Sequence, residues 1–170
     1  FRTELIWTDW LLKALGVLHW KIRYLLKILV QRVSKAGVKV DGENIASIAN
    51  GILVFVGFDP NDSINQIIKL TKKLLNYKVF NDSYGRVALS VLEVEAEILL
   101  IPQVTLSVNT DKGLKPSFSS AASPEKGLDL FQSFKSHIES SYSRVQTGKF
   151  GANMSVSLIN EGPITYWFEA

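Results

Sequence analysis

The chain has 170 residues, enough for one domain with a sizeable core, and its apolar (46%) and charged (21%) fractions are ordinary for a globular protein. It has no cysteine and only two histidines, His19 and His137, which excludes disulfides, thiolate metal sites, and any triad or zinc centre built on several histidines. The net charge is +3, of which Arg2, Lys13, Lys21 and Arg23 against Glu4 and Asp9 place +2 in residues 1–26 and leave +1 for the rest. Contact with a polyanion must therefore rest on local lysine clusters.

The chain opens at Phe1, which reads as a fragment, a processed product or upstream translation. Leu5–Leu26 is rich in Leu and Trp, but Asp9, Lys13, Lys21 and Arg23 interrupt it. It never reaches the run of about 18 apolar residues that a membrane span requires. As a helix it would group Leu11, Leu15, Leu18 and Ile22 on one side, so an accessory or interfacial helix is an alternative to non-native or upstream sequence. A targeting segment is the weakest reading, because no small-residue cleavage site follows.

From Lys27 the texture changes to short β-rich runs. Lys27–Ser34 and Val38–Val40 read as strands, Asp41-Gly42 as a hairpin turn, and Ile45–Ile48 as the return. Gly51–Phe58 is almost wholly apolar, as in a strand buried on both faces. Asp59-Pro60-Asn61-Asp62 breaks it, and Asp62 or Ser63 caps a helix with the stripe Ile64, Ile67, Ile68, Thr71 and Leu75. Lys78–Phe80, the turn Asn81–Gly85, and Ser90–Leu92 follow. Ile98–Ile101 is a second buried strand, closed by Pro102. Residues 107–123 form a long polar loop. Ser123 and Pro124 start a second helix with the stripe Leu128, Phe131, Phe134 and Ile138. Val145–Thr147, Met154–Ile159 and Ile164–Phe168 complete the strands. The order predicts an α/β fold, a mixed β-sheet with two packed helices.

Motifs for the usual catalytic sites are missing: there is no G-x-S-x-G, P-loop, H-E-x-x-H or dinucleotide fingerprint. His137 reads as a surface or core-edge histidine. Glu93, Glu95 and Glu97 alternate as on one solvated strand face. Four segments favour special backbone geometry instead. They are Pro102-Gln103-Val104-Thr105, Lys112 to Phe118 with Lys115 between, Gly148 to Ala152, and Asn160 to Thr165 with Gly162-Pro163 inside. Each alone is more often a turn than a site.

In order and spacing the four segments resemble the D-aminoacyl-tRNA deacylase family. Gln31-Arg32-Val33 looks like its opening strand motif, and Gly51-Ile52-Leu53-Val54 like its buried strand. Pro102-Gln103-Val104-Thr105 falls on its S-Q-x-T motif, with proline for serine. Lys112-Gly113 with Pro116-Ser117-Phe118, and Gly148 with Phe150-Gly151-Ala152 and Met154, match two further segments. Asn160-Glu161-Gly162-Pro163-Ile164-Thr165 fits N-x-G-P-x-T at each fixed position. The resemblance covers residues 27–170, implies that family's barrel-like layered fold, and leaves residues 1–26 as an extension foreign to it. Family members start one residue before the first strand, so a non-AUG initiator read literally as Leu26 would produce this sequence.

The resemblance further implies a cytoplasmic homodimer with active sites at the interface, acting on aminoacylated tRNA without metal, cofactor or membrane. Gln103, Val104 and Thr105 would form the catalytic segment, and Gly162-Pro163 of the partner subunit, joined by a cis bond, a filter against L-amino acids. Arg32, Pro102, Asn160 and Thr165 would support the filter and the catalytic segment. Phe150, Gly151, Ala152 and Met154 would hold the terminal adenosine, with Lys112 and Lys115 on phosphates. Glycyl-tRNA would be a second substrate. Pro102 also suits a sister group that clears L-alanine from a threonine tRNA but lacks Arg32. A non-catalytic RNA-binding module is the rival from a different class.

Overall fold

The computed structural model describes residues 26–110 and 113–170; the N-terminal extension up to Tyr24-Leu25 and the expected phosphate contact Lys112 lie outside them. One strand, β1 (Lys27–Val40), carries the architecture. Sequence reading splits it in two, yet it runs unbroken through Lys35–Gly37. It is held there by neighbours on both edges: β3 (Gly51–Gly57) pairs with Lys27–Val33, β2 (Glu43–Ile48) pairs with Ala36–Val40, and β8 (Met154–Glu169) follows its whole length. Asp41 and Gly42 both have positive φ, 51° and 85°, so the β1–β2 connection is the primed turn whose twist suits a hairpin.

After β3 come α1 (Ile64–Asn76), the hairpin β4 (Lys78–Asn81) and β5 (Val87–Ser90), β6 (Glu97–Pro102), two short 3-10 turns at Val104–Ser107 and Phe118–Ser120, α2 (Pro124–Ser141) and β7 (Val145–Thr147). The main sheet runs β2-β1-β3-β6-β7 with β8 on the other edge of β1, and β3–β6 and β6–β7 are parallel. Its far strands lean towards each other: Ser47 N–H donates to Gln146 Oε1 at 3.0 Å and Ala49 N–H to Glu97 Oε2 at 2.8 Å. The sheet is thereby nearly closed, as the barrel-like expectation requires.

Curling gives the sheet two buried faces. Ile28, Val30, Ile52, Val54, Ile98 and Leu100 face the helices, where they meet Leu70, Leu74, Phe134 and Ile138. The alternate residues Val33, Val38, Leu53, Leu99 and Ile101 fill the inside of the curl. This is why β3 and β6 read as continuous apolar runs, each fully buried Leu or Ile contributing roughly 1.5–3 kcal/mol.

Several local expectations are corrected. On α1 the buried stripe is Ile67, Leu70, Thr71, Leu74 and Leu75, while Ile64 and Ile68 are exposed. On α2 it is Gly127, Leu130, Phe131, Phe134 and Ile138, with Leu128 exposed. Both stripes are rotated because each helix also packs on the other, which periodicity within one helix does not register. Strand β5 ends at Ser90, and residues 91–95 turn. The pieces 154–159 and 164–168 are one strand, β8, because β1 pairs with both. No helix of the described residues is long and apolar enough to cross a membrane.

Ser63 is the N-cap of α1, its N–H donating to Gln66 Oε1 at 2.7 Å. Asp62, the alternative cap, turns back instead: its Oδ2 accepts from the Asp59 N–H at 2.7 Å, beside the Lys27–Asp59 ion pair of 2.7 Å. Burial pushes the Asp62 carboxyl up to about 6, with the Asp59 carboxylate adding to the rise and the Asp59 N–H, Lys27 and Lys126 opposing it. A raised folded-state pKa means that the fold binds the proton more tightly than the unfolded chain. This stabilisation is complete below about pH 4 and is lost as pH climbs through about 6. The stability of the wild type relative to Asp62→Asn should therefore fall by about 2–3 kcal/mol between pH 4 and pH 7, measured by urea denaturation at each pH.

Candidate active site

Where β6 ends, the chain makes the turn that carries the first predicted motif. Gln103 N–H donates to the Val56 carbonyl at 2.7 Å, extending the parallel pairing with β3 by one bond. Pro102 interrupts little there, because β7 pairs with β6 only through Leu100. Val104 to Ser107 then coil into a 3-10 turn, and the Gln103 side-chain amide donates to Thr105 Oγ1. With its oxygen engaged as an acceptor, the Thr105 hydroxyl keeps its proton free to donate outward. Val104 and Thr105 are exposed and Pro102 is buried.

This turn forms one wall of a cleft of about 440 Å³. The opposite wall is Phe150 to Met154, so two motifs 47 positions apart (103 to 150) in the sequence meet across one space. Gly148, just before that wall, lies where a Cβ would come within 2.8 Å of Met154 Sδ and 2.9 Å of Ile101 Cδ1, so a larger residue would have to displace the ends of both side chains. Phe150 is half-buried against Phe131, with ring centroids 6.0 Å apart, and leans on Gly127 of α2. A Cβ at Gly127 would stand 3.1 Å from the Phe150 ring.

Sequence reasoning missed part of this wall: Phe58, Ala122, Pro124, Gly127 and Asn153 also line the cleft. The signal for Gly127 was present, since a glycine inside an amphipathic helix costs about 1 kcal/mol and calls for a packing reason. None of the residues lining the cleft is ionisable. The cleft therefore offers amide, thioether and aromatic groups, and no acid, base or cation of its own; the Thr105 hydroxyl is not part of its lining.

The Gly162-Pro163 motif lies elsewhere in the protomer. Along β1 and β8, Gln31 pairs with Thr165 and Val33 with Asn160, so Arg32 alone faces the four residues Glu161–Ile164. The excess length is thrown out as a wide bulge. Its base is fixed by Asn160 Oδ1, which accepts from Gln31 Nε2 at 3.3 Å and from Thr165 Oγ1 at 3.5 Å. Its crest, Glu161–Pro163, is exposed, and the Gly162–Pro163 peptide bond is cis. Arg32 is 6% exposed and donates from Nε to the Glu161 carbonyl at 3.1 Å. Arg32 thus contacts the carbonyl just before the glycine.

The remaining predicted residues are scattered. Lys115 is exposed in the loop after Asn109, which pairs with Ser117 as an isolated bridge. Met154 and Ala152 are half-buried at the cleft, and Gly151 is exposed with φ 74°. His137 is half-buried on α2, outside the cleft. The three alternating glutamates do not share a strand face, because the chain turns at 91–95. Glu93 binds Lys78 and Ser90, whose hydrogen bonds hold it down to about 2, and Glu97 accepts from Ala49 N–H. Among the described residues no cluster of three or more metal-ligating side chains occurs.

Comparison with known proteins bears on the family and the fold. The family model of D-Tyr-tRNA(Tyr) deacylases matches residues 29–169. A D-aminoacyl-tRNA deacylase of Dichelobacter nodosus is 47% identical over 139 residues, covering 82% of this chain and 96% of that protein. One from Pseudomonas aeruginosa is 46% identical over 145 residues, covering 85% and 100%. Among solved structures, the c-Myc DNA unwinding element binding protein superposes with a TM-score of 0.81 at 37% identity, covering 85% of this chain and 98% of that one. A probable eukaryotic D-amino acid tRNA deacylase shares the fold at 18% identity, with a TM-score of 0.77 over 86% and 100%. Two bacterial relatives matched along almost their entire length, and a family model that runs from the first strand to the last, make this chain a member of the D-Tyr-tRNA(Tyr) deacylase family.

Proposed function

We propose that this protein hydrolyses the ester of D-aminoacyl-tRNA, as a cytoplasmic chirality proofreader of translation. Water adds to the acyl carbon, the bond to the terminal ribose oxygen breaks, and free tRNA and the amino acid leave. The observation that carries the reading is a cleft between Pro102-Gln103-Val104 and the Phe150–Met154 wall with no ionisable group in its lining, Thr105 standing exposed beside it and held by the Gln103 amide. Such a cleft suits chemistry in which the ribose 2′-OH next to the ester assists and the protein positions. Thr105 is a positioning residue in this reading, since a hydroxyl nucleophile needs an adjacent base.

Phe150 stacks on the terminal adenine, with Gly151, Ala152 and Met154 around it, and Lys112 and Lys115 lie along the phosphates. The chain acts as a homodimer in which Gly162-Pro163 of one subunit closes the cleft of the other. Exclusion by main-chain atoms suits an enzyme that must spare abundant L-aminoacyl-tRNA, because a wall of carbonyls has no rotamer to open. Glycyl-tRNA passes the same filter, having no side chain to reject. Residues 1–25 stand outside this machinery, whereas Leu26 is fully buried in the core and belongs to the domain.

The test uses the chain from Leu26 to Ala170 and compares hydrolysis of D-tyrosyl-, L-tyrosyl- and glycyl-tRNA. Dimers that cleave the D and glycyl substrates and spare the L substrate are expected. Loss of folding or dimerisation on truncation would make residues 1–25 part of the domain. A second reading, L-alanyl-tRNA(Thr) editing, is favoured by Pro102 in the serine position. It takes first place if L-alanyl-tRNA is cleaved faster than D-tyrosyl-tRNA.

A further inference from the structure

The guanidinium that holds the Gly162-Pro163 bulge is itself held from outside the main sheet. Register shifts in the β4–β5 ladder on either side of Phe80: Lys78 pairs with Ser90, Phe80 with Leu89 and Asn81 with Val87, and Val79 has no partner. The Val79 carbonyl accepts instead from Arg32 Nη1 at 2.7 Å, and Asn81 Oδ1 accepts from the same nitrogen at 3.1 Å. A guanidinium is planar and its N–H bonds are fixed relative to one another. One acceptor on Nη1 leaves the group free to pivot about that contact. Two acceptors spend both Nη1 protons and fix the plane, and with it the direction in which Nε–H points at the Glu161 carbonyl.

We propose that Asn81 is a positioning residue for the bulge that carries Gly162-Pro163, acting through Arg32; this rests on the filter reading given above. The β4–β5 hairpin is a firm base for such a role. Its turn is closed by Asp82 Oδ1, which accepts from the N–H groups of Tyr84 and Arg86 at 2.9 Å each. The Lys78–Glu93 ion pair ties the start of β4 to the segment after β5. Arg32 is buried, so its bonds to neutral acceptors are charge-assisted in a poorly solvated site. Asn81 is exposed, so truncating it removes the acceptor and leaves the core intact.

The test measures cleavage of D-tyrosyl- and L-tyrosyl-tRNA by the wild type, Asn81→Ala, Asn81→Asp and Arg32→Ala. In Asn81→Ala, L-substrate cleavage relative to D should rise about tenfold, the size of one charge-assisted hydrogen bond. The KM for the D substrate should stay near the wild-type value. Asn81→Asp, which keeps an acceptor at the same place, should restore the wild-type ratio. Arg32→Ala should relax discrimination at least as far as Asn81→Ala, and adding Asn81→Ala to it should change nothing more. Equal D-to-L ratios in the wild type and Asn81→Ala would overturn the inference. A wild type that fails to cleave D-tyrosyl-tRNA at all would sink the proposed function, an outcome read from a different lane of the same assay.

Discussion

Replacing Gly162 by alanine should cost about a hundredfold in D-aminoacyl-tRNA hydrolysis while leaving the protein folded. Within the protomer a Cβ at this position meets one atom, Asn160 Nδ2 at 3.3 Å, and the flanking crest residues are exposed. The cost to stability should stay within about 1 kcal/mol, as for other surface substitutions. In the proposed dimer the same methyl group intrudes on the space left for the substrate's amino acid. Displacing a reacting ester by about 1 Å is enough for a hundredfold loss. Thermal unfolding and single-turnover deacylation, run on one preparation, separate the two effects. A Gly162→Ala enzyme with full activity would show that the bulge does not border the substrate.

A still larger effect is expected from the substrate side. Because the cleft lining contains no ionisable side chain, a D-aminoacyl-tRNA whose terminal adenosine lacks the 2′-OH should be hydrolysed about a thousandfold more slowly, the usual scale for loss of an acid–base participant. The same preparation should lose almost nothing on addition of a chelator or on His137→Ala, since His137 lies on α2 outside the cleft. Rapid hydrolysis of the 2′-deoxy substrate would return attention to Thr105, whose hydroxyl proton is free to move while Gln103 donates to its oxygen.

The family was legible before the fold, and for a physical reason. Gln103-Val104-Thr105, Gly148 with Phe150-Gly151-Ala152, and Asn160 to Thr165 are segments whose backbone shape depends on residue type, so their identities are written locally. The same locality made the Asp41-Gly42 turn, the Ser63 cap and the doubly buried β3 and β6 readable from short windows. The content of the cleft was less accessible. Phe58 and Ala122 join it only because the chain before α2 returns to the end of β3, where the Ala122 N–H donates to the Phe58 carbonyl at 2.9 Å, and nothing near them in sequence announces a site. The glycine at Gly127 signalled a packing contact but not which one.

What the sequence determined by itself was thus the two helices, the strand-forming runs, the motifs and the shortage of catalytic side chains. Only the tertiary structure decided which face of each helix is buried, because Ile64, Ile68 and Leu128 satisfy a 3.6-residue period as well as Leu70 and Leu130 do. Packing of α1 against α2 breaks that tie. Only the tertiary structure made β8 one strand, since its continuity through Gly162-Pro163 comes from pairing with β1, well over a hundred residues earlier. It likewise turned Asn81 from an anonymous turn residue into a hydrogen-bond partner of Arg32, 49 positions away. Local backbone preference is encoded within a few residues, whereas such contacts exist only once distant strands have paired.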